Sequence, residues 1–171
     1  MTIREARAED APAVAAIYAP VVTDTVISFE EEPPSADEIA RRIAESHLWL
    51  VAEEDGGHVV GYAYAAPFHP RAAYRWSVEV SVYLGAEARG RGIGKRLVTE
   101  LVGRLGEMGF VNAFGGTALP NPASERLLES LGFEQVALQK EVGFKFDAWH
   151  DVSWRQLRLR EPTVPPPELR S

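Results

Sequence analysis

The segment Arg89-Gly90-Arg91-Gly92-Ile93-Gly94-Lys95-Arg96 places glycines at alternate positions among four cations. It follows an alternating, β-branched run, Trp76 to Leu84, and opens a run whose apolar residues Ile93, Leu97, Leu101, Leu105 and Met108 recur at helical spacing. Glycine permits positive φ and close approach of a ligand to the main chain, and a helix N-terminus presents unpaired N–H groups at the positive end of its dipole. A diphosphate suits that combination, with Arg89, Arg91, Lys95 and Arg96 supplying full charges. The bland alternative is a basic, solvated turn that starts a helix. Two common phosphate motifs are excluded. A Walker A loop requires glycine where Arg89 stands and Ser or Thr where Arg96 stands, and the dinucleotide fingerprint starting at Gly90 requires glycine at Lys95.

Glu79 is the second candidate. In WSVEVSVYL it is the lone charge among strand residues, so it either faces solvent or is kept as a proton acceptor. Asn121, before Pro122, reads as a helix cap and as a polar group available to a ligand, and both readings can hold. The loop PFHPRAAYRW carries His69, Arg71 and Arg75 just ahead of Glu79. Its arginines are either solvated or an anion clamp, since guanidinium binds carboxylate and phosphinate oxygens bidentately. His47, His58, His69 and His150 show no metal-ligand spacing, so no metal site is expected.

The elements that must position these residues are legible as hydrophobic periods. Strands are predicted at Ile3–Ala6, Trp49–Glu53, His58–Ala66, Trp76–Leu84, Val111–Phe114, Val136–Phe144 and Ser153–Leu159. Helices are predicted behind Asp10 and Pro12, behind an S-x-x-E capping box at Ser35 and Glu38, from Ile93, and from Asn121-Pro122 to Ser130. Hairpins stand at both ends, with Gly56-Gly57 as one turn. The expected fold class is therefore α/β with a central mixed, mostly antiparallel sheet flanked by helices. One domain is expected over residues 1–160, followed by a proline-rich, extended or disordered tail over 161–171.

The chain has 171 residues, enough for one substantial core, and its net charge of −7 argues against a nucleic-acid partner. Without cysteine there is neither disulfide, thiolate metal site nor thiol nucleophile. No apolar run reaches the length of a membrane span and the charged start does not read as a signal peptide, so a cytoplasmic protein is expected.

With these residues in view, R-x-x-G-x-G after Val82-Tyr83-Leu84, followed by LPNPASERLLESLGF, resembles the acetyl-CoA site of the GNAT acetyltransferases. YRWSVEVSVYL, LPNPAS and GFKFDAWHDVSW are similar to the phosphinothricin and methionine-sulfoximine acetyltransferases within that family, and the likeness runs from Ile3 to about Leu159. The resemblance implies a GNAT-like fold and a homodimer. It implies that acetyl-CoA pairs with the main chain of Val82, Tyr83 and Leu84. Its diphosphate would rest on Arg89, Gly90, Arg91, Gly92, Ile93, Gly94 and Lys95, with Asn121 on its arm. Glu79 matches the glutamate of the family's V-E-x-x-V-Y and would be the general base. A backbone N–H near Val82 would hold the oxyanion.

The resemblance implies as acceptor a small amino-acid-like molecule such as phosphinothricin, methionine sulfoximine or methionine sulfone. His150, in the family-like W-H-D segment, would line its pocket, and the loop with His69, Arg71 and Arg75, placed just before Glu79, would bind its oxygens. The tyrosine that many members carry seven residues after the asparagine is Leu128 here. Ser124 is a weak substitute, and a thiol of pKa about 8.5 can leave as thiolate, so no general acid is assigned. Two other readings stay open: a GNAT enzyme acting on a protein or another amine, and an acyl-CoA-binding module without catalysis.

Overall fold

The computed structural model describes residues 1–170. Among them the chain forms seven strands, β1 Thr2–Glu5, β2 Leu48–Glu54, β3 His58–Pro67, β4 Ser77–Leu84, β5 Asn112–Ala118, β6 Glu134–Lys145 and β7 Ala148–Arg158. The helices are α1 Ala11–Asp24, α2 Ala36–Glu45, α3 Ile93–Glu107 and α4 Pro122–Ser130. The strands make one sheet in the order β1-β2-β3-β4-β5-β7-β6. Every neighbouring pair is antiparallel except β4 with β5. No described helix is long and apolar enough to cross a membrane.

Strand alternation sends side chains to two cores. On one face Leu50, Ala63, Val78 and Val80 pack with Ile93, Leu97, Leu101 and Leu105 of α3 and with Leu128 of α4. On the other, Trp49, Val51 and Tyr62 pack with Val14, Tyr18 and Val22 of α1 and Ile39 of α2. Odd-numbered residues of β4 therefore face α1 and α2, and even-numbered ones face α3 and α4. Glu79 belongs to the α1/α2 face.

Local signals hold with informative exceptions. Asp10 does not cap α1 with its side chain; its carboxylate takes two hydrogen bonds from Arg4 at 2.8 Å and one from the Arg7 N–H at 2.7 Å. Only half of the expected capping box forms: Ser35 Oγ accepts from the Glu38 N–H, while the Glu38 carboxylate turns to Arg41 and Arg42. Strand β5 runs past Phe114 to Ala118 because β7 pairs with it from Asn112↔Arg158 to Ala118↔Val152. Gly115 and Gly116, just past the predicted end of this strand, are pressed by neighbours. A Cβ would stand 2.8 Å from Leu128 at the first and 3.0 Å from the Trp154 ring at the second.

The tail is extended and runs back along the body. The Trp76 indole N–H donates to the Pro167 carbonyl, the Arg170 N–H donates to the Met108 carbonyl, and Leu169 packs against the larger core.

Leu101 is fully buried on α3 between that helix and the sheet. Leu101→Ala is expected to lower the unfolding free energy by about 2–5 kcal/mol, with the urea midpoint falling and the slope unchanged.

Candidate active site

Strands β4 and β5 pair over three residues only, Ser77↔Asn112, Val78↔Ala113 and Glu79↔Phe114, and then part. The opening between Val80–Leu84 and Gly115–Ala118 is a cleft of about 400 Å³, floored by the start of α3 and closed on one side by α4. Glu79 stands at the apex, where the pairing ends.

The register of β4 against β3 says which main-chain groups are free in the cleft. Phe68 N–H donates to the Ser77 carbonyl and Gly85 N–H to the Val60 carbonyl, so odd-numbered residues of β4 exchange hydrogen bonds with β3. The N–H and C=O of Val82 and Leu84 therefore point toward β5, beyond the last ladder pair, and are open to a ligand. The main chain of Tyr83 does not share this direction; it is tied to Tyr62. Its ring lies 5.0 Å from Tyr18 and 5.4 Å from Tyr62, and burial pushes its phenol well above the usual range.

The glycine loop has the geometry a diphosphate needs. Gly90 and Gly92 take φ of 72° and 75°, and a Cβ at either would meet open space, so the glycines serve conformation and approach rather than packing. Gly92 is the N-cap of α3 and contributes no side-chain cap, and the first helical bond runs from the Arg96 N–H to the Gly92 carbonyl. The amides of Ile93, Gly94 and Lys95 are thus the unpaired donors of the first turn. Arg89, Gly90, Gly92, Gly94 and Lys95 line the cleft. The Ile93 side chain is in the core, 2% exposed, leaving its amide as its contribution. Arg91 is drawn off the cleft by Glu54, with Nη2 donating to Oε1 at 2.5 Å. Asn121 caps α4 by accepting from the Ser124 N–H with Oδ1, and it also lines the cleft with its Nδ2 uncommitted.

Glu79 is half-buried with no cation beside it, and burial raises its carboxyl above the usual carboxylate range. Phe114 is its partner across the ladder and stacks on Phe68 at 4.2 Å, with the Trp154 ring edge-on to Phe68 at 6.1 Å. The carboxylate therefore borders an aromatic surface on the α1/α2 face, which suits a base that accepts a proton from an otherwise stable ammonium.

The residues read as acceptor ligands fall into two places, with His69, Arg71 and Arg75 in the loop before β4 and His150 on the β6–β7 hairpin. Arg75 Cζ lies over the Trp76 ring, 4.3 Å from its centroid. Arg71 is exposed and has no side-chain partner among the described residues, while His69 Nδ1 accepts from the Arg71 N–H and its ring packs on Tyr74 at 4.7 Å. His150 Nε2 is bonded to the Lys145 carbonyl within the β6–β7 hairpin, away from the cleft lining. Sequence reading missed Val21 of α1, Ile27 of the following loop, and Thr117 of β5, all of which line the cleft. The paired glycines at 115 and 116 were the one local hint that β5 passes close to something. Among the described residues no group of acidic and histidine side chains could hold a metal ion.

Residues 3–154 match the family model described as an acetyltransferase (GNAT) domain. The chain is 40% identical over 172 residues to the phosphinothricin N-acetyltransferase of Alcaligenes faecalis, covering 96% of this chain and 86% of that one. It is 34% identical over 169 residues to the L-methionine sulfoximine/L-methionine sulfone acetyltransferase of Pseudomonas aeruginosa, covering 95% and 96%. A solved phosphinothricin acetyltransferase (Pat) of Sinorhizobium meliloti, in complex with AcCoA, superposes with a TM-score of 0.91 at 42% identity over 95% of this chain and 90% of that one.

Gly92→Val places a β-branched residue at φ 75° and over the free amides. Calorimetry is expected to show the Kd for CoA raised at least roughly tenfold, with the far-UV spectrum unchanged.

Proposed function

Because this chain belongs to the GNAT acetyltransferases, with acetyl-CoA as its acetyl donor, we propose that it acetylates the α-amine of a small amino acid bearing a second anionic or tetrahedral polar group. Phosphinothricin, methionine sulfoximine and methionine sulfone have that shape. One observation carries the reaction: a half-buried, unpartnered Glu79 at the apex of the fork, directly beyond which the Val82 and Leu84 main chain is open. The thioester arm would pair with those groups as a short extra strand, its diphosphate on the α3 amides. Glu79 takes a proton from the ammonium, directly or through water. The neutral amine then attacks the thioester carbonyl, whose oxyanion is met by the Val82 N–H.

The similarity to the phosphinothricin and methionine sulfoximine enzymes supports the acceptor class. With Arg75 held on Trp76, the anion clamp falls to Arg71, assisted by His69. A homodimer accompanies this reading. Val136, Leu138, Val142, Phe144, Phe146 and Trp149 are large apolar residues exposed on the β6–β7 hairpin, and β6 is an open sheet edge. A cytoplasmic location does too, since the donor is a CoA thioester.

Glu79→Gln is expected to lower kcat by roughly 10²-fold at pH 7 while acetyl-CoA affinity holds. A raised carboxyl pKa means the base form is lost as pH falls through that value, so the acidic limb of kcat/KM should lie above the usual carboxylate range of about 4.3 and vanish in the variant. Wild-type turnover in Glu79→Gln would exclude the base.

Arg71→Ala is expected to raise KM for the amino-acid analogues by one or two decades, about 1.4–3 kcal/mol, without changing acetyl-CoA affinity. A thiol-release panel decides the class: turnover of peptides or polyamines and none of the analogues would overturn the acceptor and leave acetyl transfer standing.

A further inference from the structure

The two faces of the fork differ. Glu79 is on the α1/α2 face, while Thr117, in phase with Gly115 beneath Leu128, is on the α3/α4 face. There Thr117 Oγ1 lies 3.2 Å from Ser124 Oγ on the first turn of α4, and both residues line the cleft. The Ser124 N–H is already held by the Asn121 side chain, so the hydroxyl is not needed to cap the helix.

Two hydroxyls own two O–H protons and their mutual bond uses one of them. The second proton has no acceptor among the described residues, whichever oxygen donates. Thr117 is 3% exposed in a wall to which Leu127, Leu128, Ala118, Ala123 and glycine add apolar surface and Asn121 a second polar group. With the buried Thr117 hydroxyl donating to Ser124, the spare proton is that of the half-buried Ser124 on the cleft side, a donor open to a ligand.

We propose that the Thr117–Ser124 hydroxyl pair donates a hydrogen bond to the sulfur of CoA as it departs. The proposal rests on acetyl transfer within this cleft. When the amine nitrogen bonds to the carbonyl carbon, the C–S bond breaks and its electron pair goes to sulfur. Glu79 passes the first ammonium proton to solvent before the attack; the proton that nitrogen sheds on bonding to carbon then goes to Glu79, and from there to solvent or to the thiolate. The hydroxyl pair gives up no proton; a serine hydroxyl is a weaker acid than a thiol, and what it supplies is a charge-assisted bond to the new thiolate. Base and leaving group are thereby served from opposite faces of the sheet, which keeps the carboxylate of Glu79 away from the developing negative charge on sulfur.

The test uses the full chain with Ser124→Ala, Thr117→Val, the double variant, and Thr117→Ser. Turnover is measured with saturating acetyl-CoA, and binding of CoA and desulfo-CoA is measured by calorimetry at about pH 9, where the thiol is largely thiolate. Ser124→Ala is expected to lower kcat about tenfold and to reduce the preference for CoA over desulfo-CoA by a similar factor, with desulfo-CoA affinity unchanged. The double variant should lose little more than the worse single one, because the pair acts as a unit, and Thr117→Ser should keep both properties. An unchanged CoA to desulfo-CoA ratio in Ser124→Ala and Thr117→Val overturns the proposal, whether or not thermal stability falls. The binding arm needs no acceptor. Failure of the acceptor class in the amine panel therefore leaves this result readable.

Discussion

Ladder hydrogen bonds between β4 and β5 stop after three residues, and the rest of the site follows from where they stop. A sheet that stayed zipped would satisfy the main chain of Val82 and Leu84 internally. Because β5 diverges from β4 beyond Phe114 while its other edge stays paired with β7 along its whole length, those groups remain unpaired in a partly apolar cleft. Unpaired main-chain groups there are costly unless a ligand or water completes them. An extended thioester arm is a ligand that can do so by continuing the ladder.

Where β5 departs from β4, its two glycines admit close packing on both faces. Gly115 lets Leu128 of α4 sit directly on the strand, and Gly116 does the same for the Trp154 ring on the other face. Side chains at either position would push α4 or β7 away. With them would go Asn121, Ser124 and the aromatic surface beside Glu79. The same divergence separates charges usefully. Arg89 and Lys95 stand at the open end over the α3 amides, and the one carboxylate stands at the apex, away from cations that would lower its pKa.

Other parts of the molecule brace this arrangement from outside. The Lys145 ammonium, buried at the end of β6, donates to the carbonyls of Val22 and Ser28 at 2.6 and 2.7 Å. It thereby ties the end of α1 and the loop bearing Ile27 to the hairpin. At the closed end of the fork, Trp76 is held between Arg75 and the tail carbonyl of Pro167.

Local chemistry was enough to place the elements and the glycine loop and to single out Glu79 as a candidate. Hydrophobic period, caps and positive-φ glycines are properties of short segments, and a lone charge in an apolar strand is visible as such. The motifs around Gly90 and Asn121 then identified the family. What the sequence could not determine depended on partners far along the chain. The length of β5 depended on β7, the freedom of the Val82 and Leu84 main chain on register with β3, and the loss of Arg91 to Glu54 on a contact between residues 37 apart. The meeting of Thr117 with Ser124 is of the same kind. Ser124 was in its own segment only a weak substitute for an acid and Thr117 went unremarked, and only the crossing of α4 over β5 sets the two hydroxyls 3.2 Å apart. Segment-level physics decides conformation, whereas pairing and direction are decided by what the folded chain brings alongside.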